Sequence, residues 1–317
     1  MRKRKIGALE VTVVGVGCNN FGRQLDVDRT RQVVHAALDA GVTFFDTADR
    51  YGDPKTASET VLGEVLGARR DEIVLATKFG RFLDDARPGG ASAAYVRSAT
   101  EASLRRLRTD HIDLLQVHIP DPDTPIAETL GALAELRAEG KVREIGASNF
   151  SVGELREARA AATAADVPGF VSTQDALSML DRTAESATLA ECERAGMAFL
   201  PYQPLFNGLL TGRYRAGEQV PAGSRIGGKD ARTRAALLSD RNFQLVADLT
   251  AFAQERGHTI LELAFAWLLA HPAIPSVIAG VSSPAQVASN VASTQWELTE
   301  EERGAVARIL SPVGSPA

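Results

Sequence analysis

The sequence contains few cysteines and no excess of positive charge. Only Cys18 and Cys192 occur among its 317 residues, too few and too far apart for a disulfide framework or a cysteine zinc site. With 35 basic and 40 acidic residues the net charge is −5, so the basic surface of a nucleic-acid-binding protein is missing. These features predict a cytoplasmic protein of a reducing compartment that does not bind nucleic acid and has no metal site.

Long hydrophobic runs are also missing. The longest strongly apolar run, residues 263–270, is too short to span a bilayer. The basic residues near the start are followed by Gly7 and Glu10 rather than by the apolar segment of a targeting signal. We therefore expect no membrane partner. Hydrophobic residues make up 44% and charged residues 24% of the chain, a balance typical of a globular protein rather than a disordered one.

Eight short apolar runs alternate with segments of helical spacing. The runs cover residues 11–16, 42–45, 73–76, 112–117, 142–146, 170–173, 197–200 and 275–278. The helical segments cover residues 29–40, 59–66, 94–107, 126–139, 152–164, 187–195, 243–269 (broken near Gly257) and 284–292. Alternating strands and helices favour parallel pairing. A closed (β/α)8 TIM barrel fits the count and the length better than an open sheet.

Four further features are predicted around this barrel. The N-terminal segment is expected to form a hairpin over the barrel floor, and residues 211–240 a long loop after the seventh barrel strand. A C-terminal helix is expected around residues 300–310. Thr56 and Glu59 have the spacing of a capping box for the helix at 59–66. No linker divides the chain, so residues 1–317 are expected to form a single domain.

Polar residues follow the second, third and fourth predicted barrel strands. Active sites of such barrels lie at the carboxyl ends of the strands, so Asp46, Tyr51, Lys78 and His118 should converge on one mouth. Taken singly, Asp46 could be a turn residue, Tyr51 a rim residue and His118 a core histidine. Lys78 is more telling, because only six of the 35 basic residues are lysines and a buried lysine needs a carboxylate partner.

Together these four side chains suggest a mechanism. A phenol with a pKa of about 10 is a poor acid at neutral pH, but a neighbouring ammonium stabilises the phenolate and lowers that pKa. Asp46 would hold Lys78 charged and in place, and His118 would orient a substrate oxygen by a hydrogen bond. Such a site protonates an oxygen on which negative charge develops, as carbonyl reduction by hydride requires.

At this point the sequence resembles the aldo-keto reductases, over about residues 9–309. The resemblance is carried by Phe45-Asp46-Thr47-Ala48-x-x-Tyr51-Gly52, Lys78, His118 and Gly146-x-Ser148-Asn149-Phe150. It implies a (β/α)8 barrel and a nicotinamide cofactor bound without a Rossmann fold. It also implies that Tyr51 is the general acid, that Lys78 and Asp46 tune it, and that His118 orients the carbonyl.

The resemblance also implies a set of cofactor-binding positions. These are Gly17, Cys18 and Asn19 after the first barrel strand; Ser148, Asn149 and Gln174 for the carboxamide; Tyr202 for stacking on the nicotinamide; Pro204, Leu205, Gly208, Leu210 and Gly212 for the pyrophosphate; and Gly280, Ser282, Gln286 and Asn290 for the adenosine end. Ser282 and Ser283 could instead serve as the N-cap of the following helix.

Arg213 and Arg225 match basic positions of a subgroup that includes potassium-channel β subunits. A charge-assisted contact between arginine and a phosphate is a sound basis for choosing NADP(H), and NAD(H) stays the alternative. If both arginines are merely solvated loop residues, this preference has no basis. The expected partner is a small carbonyl compound, while the oligomeric state and the direction of the reaction are left open.

Three functions are consistent with the sequence. The first is NADPH-dependent reduction of an aldehyde or ketone to an alcohol, and the second is a regulatory subunit that senses NADP(H) and turns over slowly. A barrel isomerase or hydrolase ranks last, because no phosphate or metal cluster is evident. Two sets of residues point to different substrates. Substrate choice depends on side chains such as Phe21 and Ile119 and on the members of these two sets. Asn20 and Arg50 would suit a sugar, keto-sugar or polyol, whereas Phe79, Phe82 and Phe206 would suit an aromatic or polycyclic ketone.

Overall fold

The computed structural model describes residues 1–83, 89–221 and 223–311. It begins with an antiparallel hairpin of two strands, β1 (Lys3–Ile6) and β2 (Leu9–Thr12). Eight parallel strands then form one sheet that curls into a nearly closed barrel, so the predicted (β/α)8 fold is confirmed. They are β3 (Val14–Gly17), β4 (Phe44–Asp46), β5 (Val74–Phe79), β6 (Ile112–Val117), β7 (Val142–Ser148), β8 (Ser172–Ala176), β9 (Ala198–Tyr202) and β10 (Val277–Gly280).

Helices surround the barrel and connect its strands. They are α1 (Val27–Asp39), α2 (Ala57–Leu66), α3 (Ala93–Leu107), α4 (Ile126–Ala138), α5 (Val152–Ala165), α6 (Ala190–Ala195), α7 (Ala231–Leu237), α8 (Asp240–Gln254), α9 (Ile260–Leu269), α10 (Pro284–Ala292) and α11 (Glu300–Leu310). None of those in the described ranges is long and apolar enough to cross a membrane. A single domain over residues 1–317 stays a prediction, because residues 312–317 lie outside the described part.

The hairpin closes one end of the barrel, as the sequence predicts. Ile6, Leu9 and Val11 pack with buried barrel residues such as Phe44 and Leu114 in one apolar cluster. The backbone N–H of Ala8 also donates to Glu144 Oε1 at 2.8 Å. Because apolar side chains fill this floor, a polar cavity can open only at the opposite end, where the strands finish.

The first predicted strand is divided in the structure. Residues 11–16 contribute both to β2 of the hairpin and to β3 of the barrel, and the chain changes direction between them. Thr12 fixes this corner, because its hydroxyl donates to the carbonyl of Val14 at 2.8 Å and accepts from the N–H of Thr43 at 3.0 Å. The apolar pattern continues without a break through this corner, so the change of direction could not be recognised from the sequence.

The predicted capping box at α2 was wrong. Thr56 precedes the helix with a left-handed φ of 79° and makes no side-chain cap. Glu59 is fully buried instead and accepts from Thr77 Oγ1 at 2.5 Å and from Arg106 Nε at 2.7 Å. The glutamate thus joins α2 to β5 and α3, and these tertiary bonds outweigh the local motif.

The segment at 243–269 is interrupted as expected. Gly257 adopts a left-handed φ of 77° between α8 and α9. The long loop at 211–240 differs from the prediction, because it contains the short helix α7. Asp230 begins α7 by accepting from the N–H of Thr233 at 2.9 Å, and Leu237 anchors it in the core. A seven-residue helix with one buried residue has too little apolar periodicity to be recognised from sequence.

Candidate active site

Lys78 and Asp46 form a buried ion pair between β5 and β4. Lys78 Nζ lies 2.8 and 2.7 Å from the two carboxylate oxygens of Asp46, and it also donates to the carbonyl of Thr47 at 2.9 Å. Lys78 is fully buried. Burial is the largest single effect and would lower the pKa of Lys78, but the combined effects of Asp46 and Tyr51 exceed it and the pKa is raised. Lys78 is therefore a fixed ammonium beneath the cavity.

Two glutamines complete the surroundings of Asp46. Gln116 Nε2 on β6 donates to Asp46 Oδ1 at 3.2 Å, and Gln174 Nε2 on β8 donates to the same oxygen at 3.0 Å. The sequence reasoning missed Gln116. Side chains alternate along a strand, so a polar residue two positions before His118 should face the barrel interior as well.

Tyr51 lies at the cavity surface next to Lys78, with its ring centroid 5.1 Å from the ammonium nitrogen. The predicted lowering of its pKa was wrong as a net effect. Withdrawal from water raises the pKa of Tyr51, and the opposing effect of Lys78 is smaller. Tyr51 is thus a protonated phenol, and Lys78 favours its phenolate relative to the same pocket without a cation.

His118 stands edge-to-face against Tyr51, with ring centroids 5.9 Å apart. Burial and the charge of Lys78 lower the pKa of His118 to about 2, so the ring is neutral. Its Nδ1 atom has no hydrogen-bond partner within the described residues. A neutral imidazole offers one N–H donor, which suits the predicted contact with a substrate oxygen.

A second polar group borders the tetrad formed by Asp46, Tyr51, Lys78 and His118. Tyr202 donates its hydroxyl to Asn149 Oδ1 at 2.9 Å, and Asn149 Nδ2 donates to the carbonyl of His118 at 2.9 Å and to Ser148 Oγ at 3.0 Å. Asn149 holds a left-handed φ of 60°, a conformation that asparagine tolerates better than most residues. These bonds fix the side chains that the resemblance assigns to the nicotinamide end.

A cavity of about 540 Å³ begins at the tetrad and extends to the start of α10. Most of the predicted site residues line it: Asp46, Tyr51 and His118, and then Gly17, Asn19, Ser148, Asn149, Gln174, Tyr202, Pro204, Leu205, Gly208, Arg213, Arg225, Gly280, Ser282, Gln286 and Asn290. Lys78, Cys18, Leu210 and Gly212 do not line it, and Lys78 lies buried beneath it. Cys18 and Leu210 are fully buried in the wall, where they shape the backbone without reaching the cavity with a side chain.

The two basic positions predicted for a phosphate both face the cavity. Arg225 reaches toward Gly280, because a Cβ on that glycine would lie 3.8 Å from Arg225 Nη1. Enclosure lowers the pKa of Arg225, and its charge acts on Tyr51. Arg213 lines the same cavity beyond the turn at Phe206–Thr211. Positive charge is therefore concentrated along the part of the cavity between the tetrad and α10.

The far end of the cavity is built around the first turn of α10. Ser283 caps this helix by accepting from the N–H of Gln286 at 3.3 Å. Gln286 Oε1 accepts in turn from the N–H of Ser282 at 2.7 Å and from its hydroxyl at 3.1 Å. The cap that was an alternative explanation therefore falls on Ser283, whereas Ser282 and Gln286 line the cavity.

The three phenylalanines that would suit an aromatic ketone, Phe79, Phe82 and Phe206, are not among the described residues that line the cavity. Phe21 and Phe79 are fully buried in the core, and Phe82 is half exposed on the surface. Among the four phenylalanines, Ile119, Asn20 and Arg50, only Asn20 lines the cavity. Arg81 lines it as well and was missed, although its place three residues after Lys78 was a signal for it.

The lining fits a dinucleotide. Gly17 and Gly280 face each other in register on β3 and β10, and a Cβ on Gly17 would stand 3.3 Å from Ile278 Cγ2. Both glycines line the cavity, so at this place the backbone itself faces it. No group of three His, Cys, Asp or Glu side chains in the described ranges is placed to hold a metal ion.

Comparisons with known proteins agree with this geometry. Residues 13–311 match the sequence model of the Aldo/keto reductase family. The chain is 34% identical to "Uncharacterized oxidoreductase YrpG" of Bacillus subtilis over 92% of this chain and 90% of that protein. It is 32% identical to "Probable voltage-gated potassium channel subunit beta" of Arabidopsis thaliana, over 92% and 90% respectively. It also resembles the structure titled "aldo-keto reductase AKR11C1 from Bacillus halodurans (holo form)". That match has a TM-score of 0.79 and 30% identity and covers 98% of this chain and 96% of the other.

Proposed function

We propose a specific activity from the premise that the chain belongs to the aldo/keto reductase family and is an NAD(P)H-dependent oxidoreductase. The activity is NADPH-dependent reduction of an aldehyde or ketone to an alcohol, with Tyr51 as the proton donor. One observation carries the proposal. A protonated phenol, a neutral imidazole and a buried ammonium–carboxylate pair meet at one end of a cavity that is rich in polar groups and arginines.

Each member of the tetrad has a separate task in this reaction. When bound, the reduced nicotinamide supplies a hydride to the carbonyl carbon. Neutral His118 donates its N–H to the carbonyl oxygen and orients it. Tyr51 then gives its hydroxyl proton to that oxygen as negative charge develops there. The phenolate left on Tyr51 is stabilised by Lys78, which Asp46 keeps charged.

The same proposal assigns the rest of the cavity to the cofactor. Ser148, Asn149 and Gln174 would hold the carboxamide, and Tyr202 would stack on the ring. Arg225 and Arg213 would bind phosphate, with Arg225 favouring NADPH over NADH through the additional 2′-phosphate. The position of Arg225 opposite Gly280, at the strand end that leads to Ser282, supports this assignment.

A fluorescence titration with NADPH and NADH tests the cofactor assignment. We expect wild type to bind NADPH more tightly than NADH, and Arg225→Ala to weaken NADPH binding by about 10-fold or more while NADH binding changes little. Arg215→Ala is the matched control, because Arg215 lies in the same loop, is largely exposed and does not line the cavity. Equal affinity for both cofactors would remove the proposed role of Arg225, and no binding of either would contradict the proposed activity.

A second candidate function has support from one comparison. The similarity to a protein named as a probable potassium-channel β subunit favours a regulatory subunit that binds NADP(H) and turns over slowly. Rapid turnover of a simple aldehyde would exclude it. Tight NADPH binding with turnover below about one per minute on a broad set of carbonyl compounds would favour it, because typical enzymes turn over at 1 s⁻¹ or faster.

We also propose a cytoplasmic location, a small-molecule partner and no nucleic-acid partner. The net charge of −5 supports the last point.

A further inference from the structure

Arg81 is a cation that the proposed reaction does not use. It follows β5 three residues after Lys78 and lies half-buried in the cavity wall with Tyr51, His118 and Tyr202. It makes no ion pair or hydrogen bond with another residue in the described ranges. An arginine that gives up part of its hydration without a protein partner is expected to bind an anion.

The charge of Arg81 acts on the catalytic end of the cavity. It helps to lower the pKa of His118, and it opposes the rise in the pKa of Tyr202. Both residues belong to the nicotinamide end in the proposed assignment. Arg81 therefore stands near the place where a carbonyl compound would bind, not at the adenosine end.

The described residues of the cavity wall carry more positive than negative charge. Its cations are Arg81, Arg213 and Arg225, and Asp46 is the one carboxylate among the described lining residues. Asp46 is already paired with Lys78 at 2.7 Å. The phosphates of the proposed cofactor account for Arg213 and Arg225, so the charge of Arg81 is left for the substrate.

Within the described part of the chain, the phenylalanines that would suit an aromatic substrate do not line this wall. Phe21 and Phe79 are buried behind it, and Phe82 and Phe206 do not line it. Asn20, which does line it, uses its amide N–H to hold the carbonyl of Val281 at 3.1 Å. Among the described lining residues beside the tetrad, Arg81 is thus a cation without a protein partner in the described ranges and is available for recognition.

We propose that Arg81 binds an anionic group of the substrate, a carboxylate or a phosphate, so that the preferred substrates are small carbonyl compounds with a negative charge. This inference rests on the proposed carbonyl reduction. In it, Arg81 is a specificity-determining residue that contributes mainly to substrate binding. Because the guanidinium offers paired donors in a planar fork, it suits a carboxylate or phosphate better than a lysine would.

Matched substrates test this proposal. One pair is 4-carboxybenzaldehyde and methyl 4-formylbenzoate, and the other is glyceraldehyde 3-phosphate and glyceraldehyde. We expect wild type to have the higher kcat/KM on the charged member of at least one pair, and the pair that shows the larger ratio identifies the anion. Arg81→Gln should lower kcat/KM on that charged member by about 10- to 100-fold. The loss should appear mainly in KM, with less than about a threefold change on the neutral member. Arg81→Lys should recover part of it.

Arg50→Gln is the control for charge alone. Arg50 also acts on His118 but does not line the cavity, so its removal should leave the ratio between charged and neutral substrates unchanged. Equal ratios in wild type and Arg81→Gln would overturn the role of Arg81 while leaving carbonyl reduction intact. If wild type reduces none of the four compounds with NADPH, the proposed function itself is contradicted. Equilibrium dialysis of 4-carboxybenzaldehyde with the NADPH-loaded protein then decides the role of Arg81, since weaker binding to Arg81→Gln supports it and equal binding overturns it.

Discussion

Asp46 accepts hydrogen bonds from three side chains that come from three different strands: Lys78, Gln116 and Gln174. This arrangement spreads the charge of a carboxylate that has almost no contact with water. It also fixes the ammonium of Lys78 without any flexible element. The catalytic end of the cavity is therefore organised before a ligand arrives, which is what electrostatic stabilisation of a transition state requires.

Asp49 is a second buried carboxylic acid, and its surroundings differ from those of Asp46. Its side chain is 1% exposed and neither carboxylate oxygen has a partner within the described residues. Burial raises the pKa of Asp49 to about 8, with repulsion from Glu59 as the next cause, while Arg106 and Arg50 oppose the rise. An aspartate in an unfolded chain titrates near 3.8. Between pH 3.8 and about 8 the folded protein therefore keeps a proton on Asp49 that the unfolded chain has already lost. The stabilisation that this difference provides is fully present below pH 4 and is lost as the pH rises toward 8.

Asp49→Asn tests whether Asp49 lowers the stability of the folded protein as the pH rises, because the amide of asparagine imitates the protonated acid and does not titrate. We expect the variant to gain stability relative to wild type as the pH is raised from 5 to 9, with the larger gain at pH 9. Thermal unfolding of both proteins at pH 5, 7 and 9 measures it. A difference in melting temperature that is the same at all three pH values would contradict the raised pKa.

At the scale of elements, α2 is pressed against the end of α3 through a glycine. A Cβ on Gly63 would stand 2.5 Å from the carbonyl oxygen of Arg106 and 2.7 Å from Leu107 Cα. Both are backbone atoms, so no side-chain rotation relieves the contact. The close approach also lets Arg106 reach Glu59 on α2.

Gly63→Ala should push the two helices apart and cost about 1–3 kcal/mol of unfolding free energy. Gly131→Ala is the control, because Gly131 lies inside α4 with nothing within 4 Å of its added Cβ. It should instead gain about 0.5–1 kcal/mol from the lower backbone entropy of the unfolded chain. Urea unfolding of the three proteins decides it, and equal midpoints for the two variants would show that the α2–α3 contact tolerates a methyl group.

Sequence reasoning succeeded where a feature is local or repeated. The alternation of strands and helices is a regular pattern, and strand ends converge in any such barrel, so the meeting of Asp46, Lys78 and His118 followed from topology. It failed where the outcome depends on competing environments. The net pKa of Tyr51 depends on the balance between burial and the opposing charges of Lys78 and Arg225, and Glu59 makes tertiary hydrogen bonds in place of a local cap. Neither the net pKa of Tyr51 nor the hydrogen bonding of Glu59 can be predicted from the spacing of residues in the sequence.

At the scale of the whole molecule, the two ends of the barrel have opposite chemistry. The N-terminal hairpin fills the floor with Ile6, Leu9 and Val11, while the opposite end carries a polar cavity with surplus positive charge. The described cavity therefore lies at the carboxyl ends of the strands. This asymmetry explains why the assigned side chains lie at the strand ends, on the loops that follow them or, for Gln286 and Asn290, on α10.

The central claim is that Tyr51 supplies the proton in a reduction driven by NADPH, and Tyr51→Phe tests it most directly. Phenylalanine keeps the ring and removes only the hydroxyl, so NADPH affinity and melting temperature should stay near their wild-type values. Those two measurements also show that the variant is folded. We expect kcat on the best aldehyde to fall by about 10²- to 10⁴-fold, the range that general acid catalysis contributes. Retention of wild-type kcat in a variant that still binds NADPH would contradict the account.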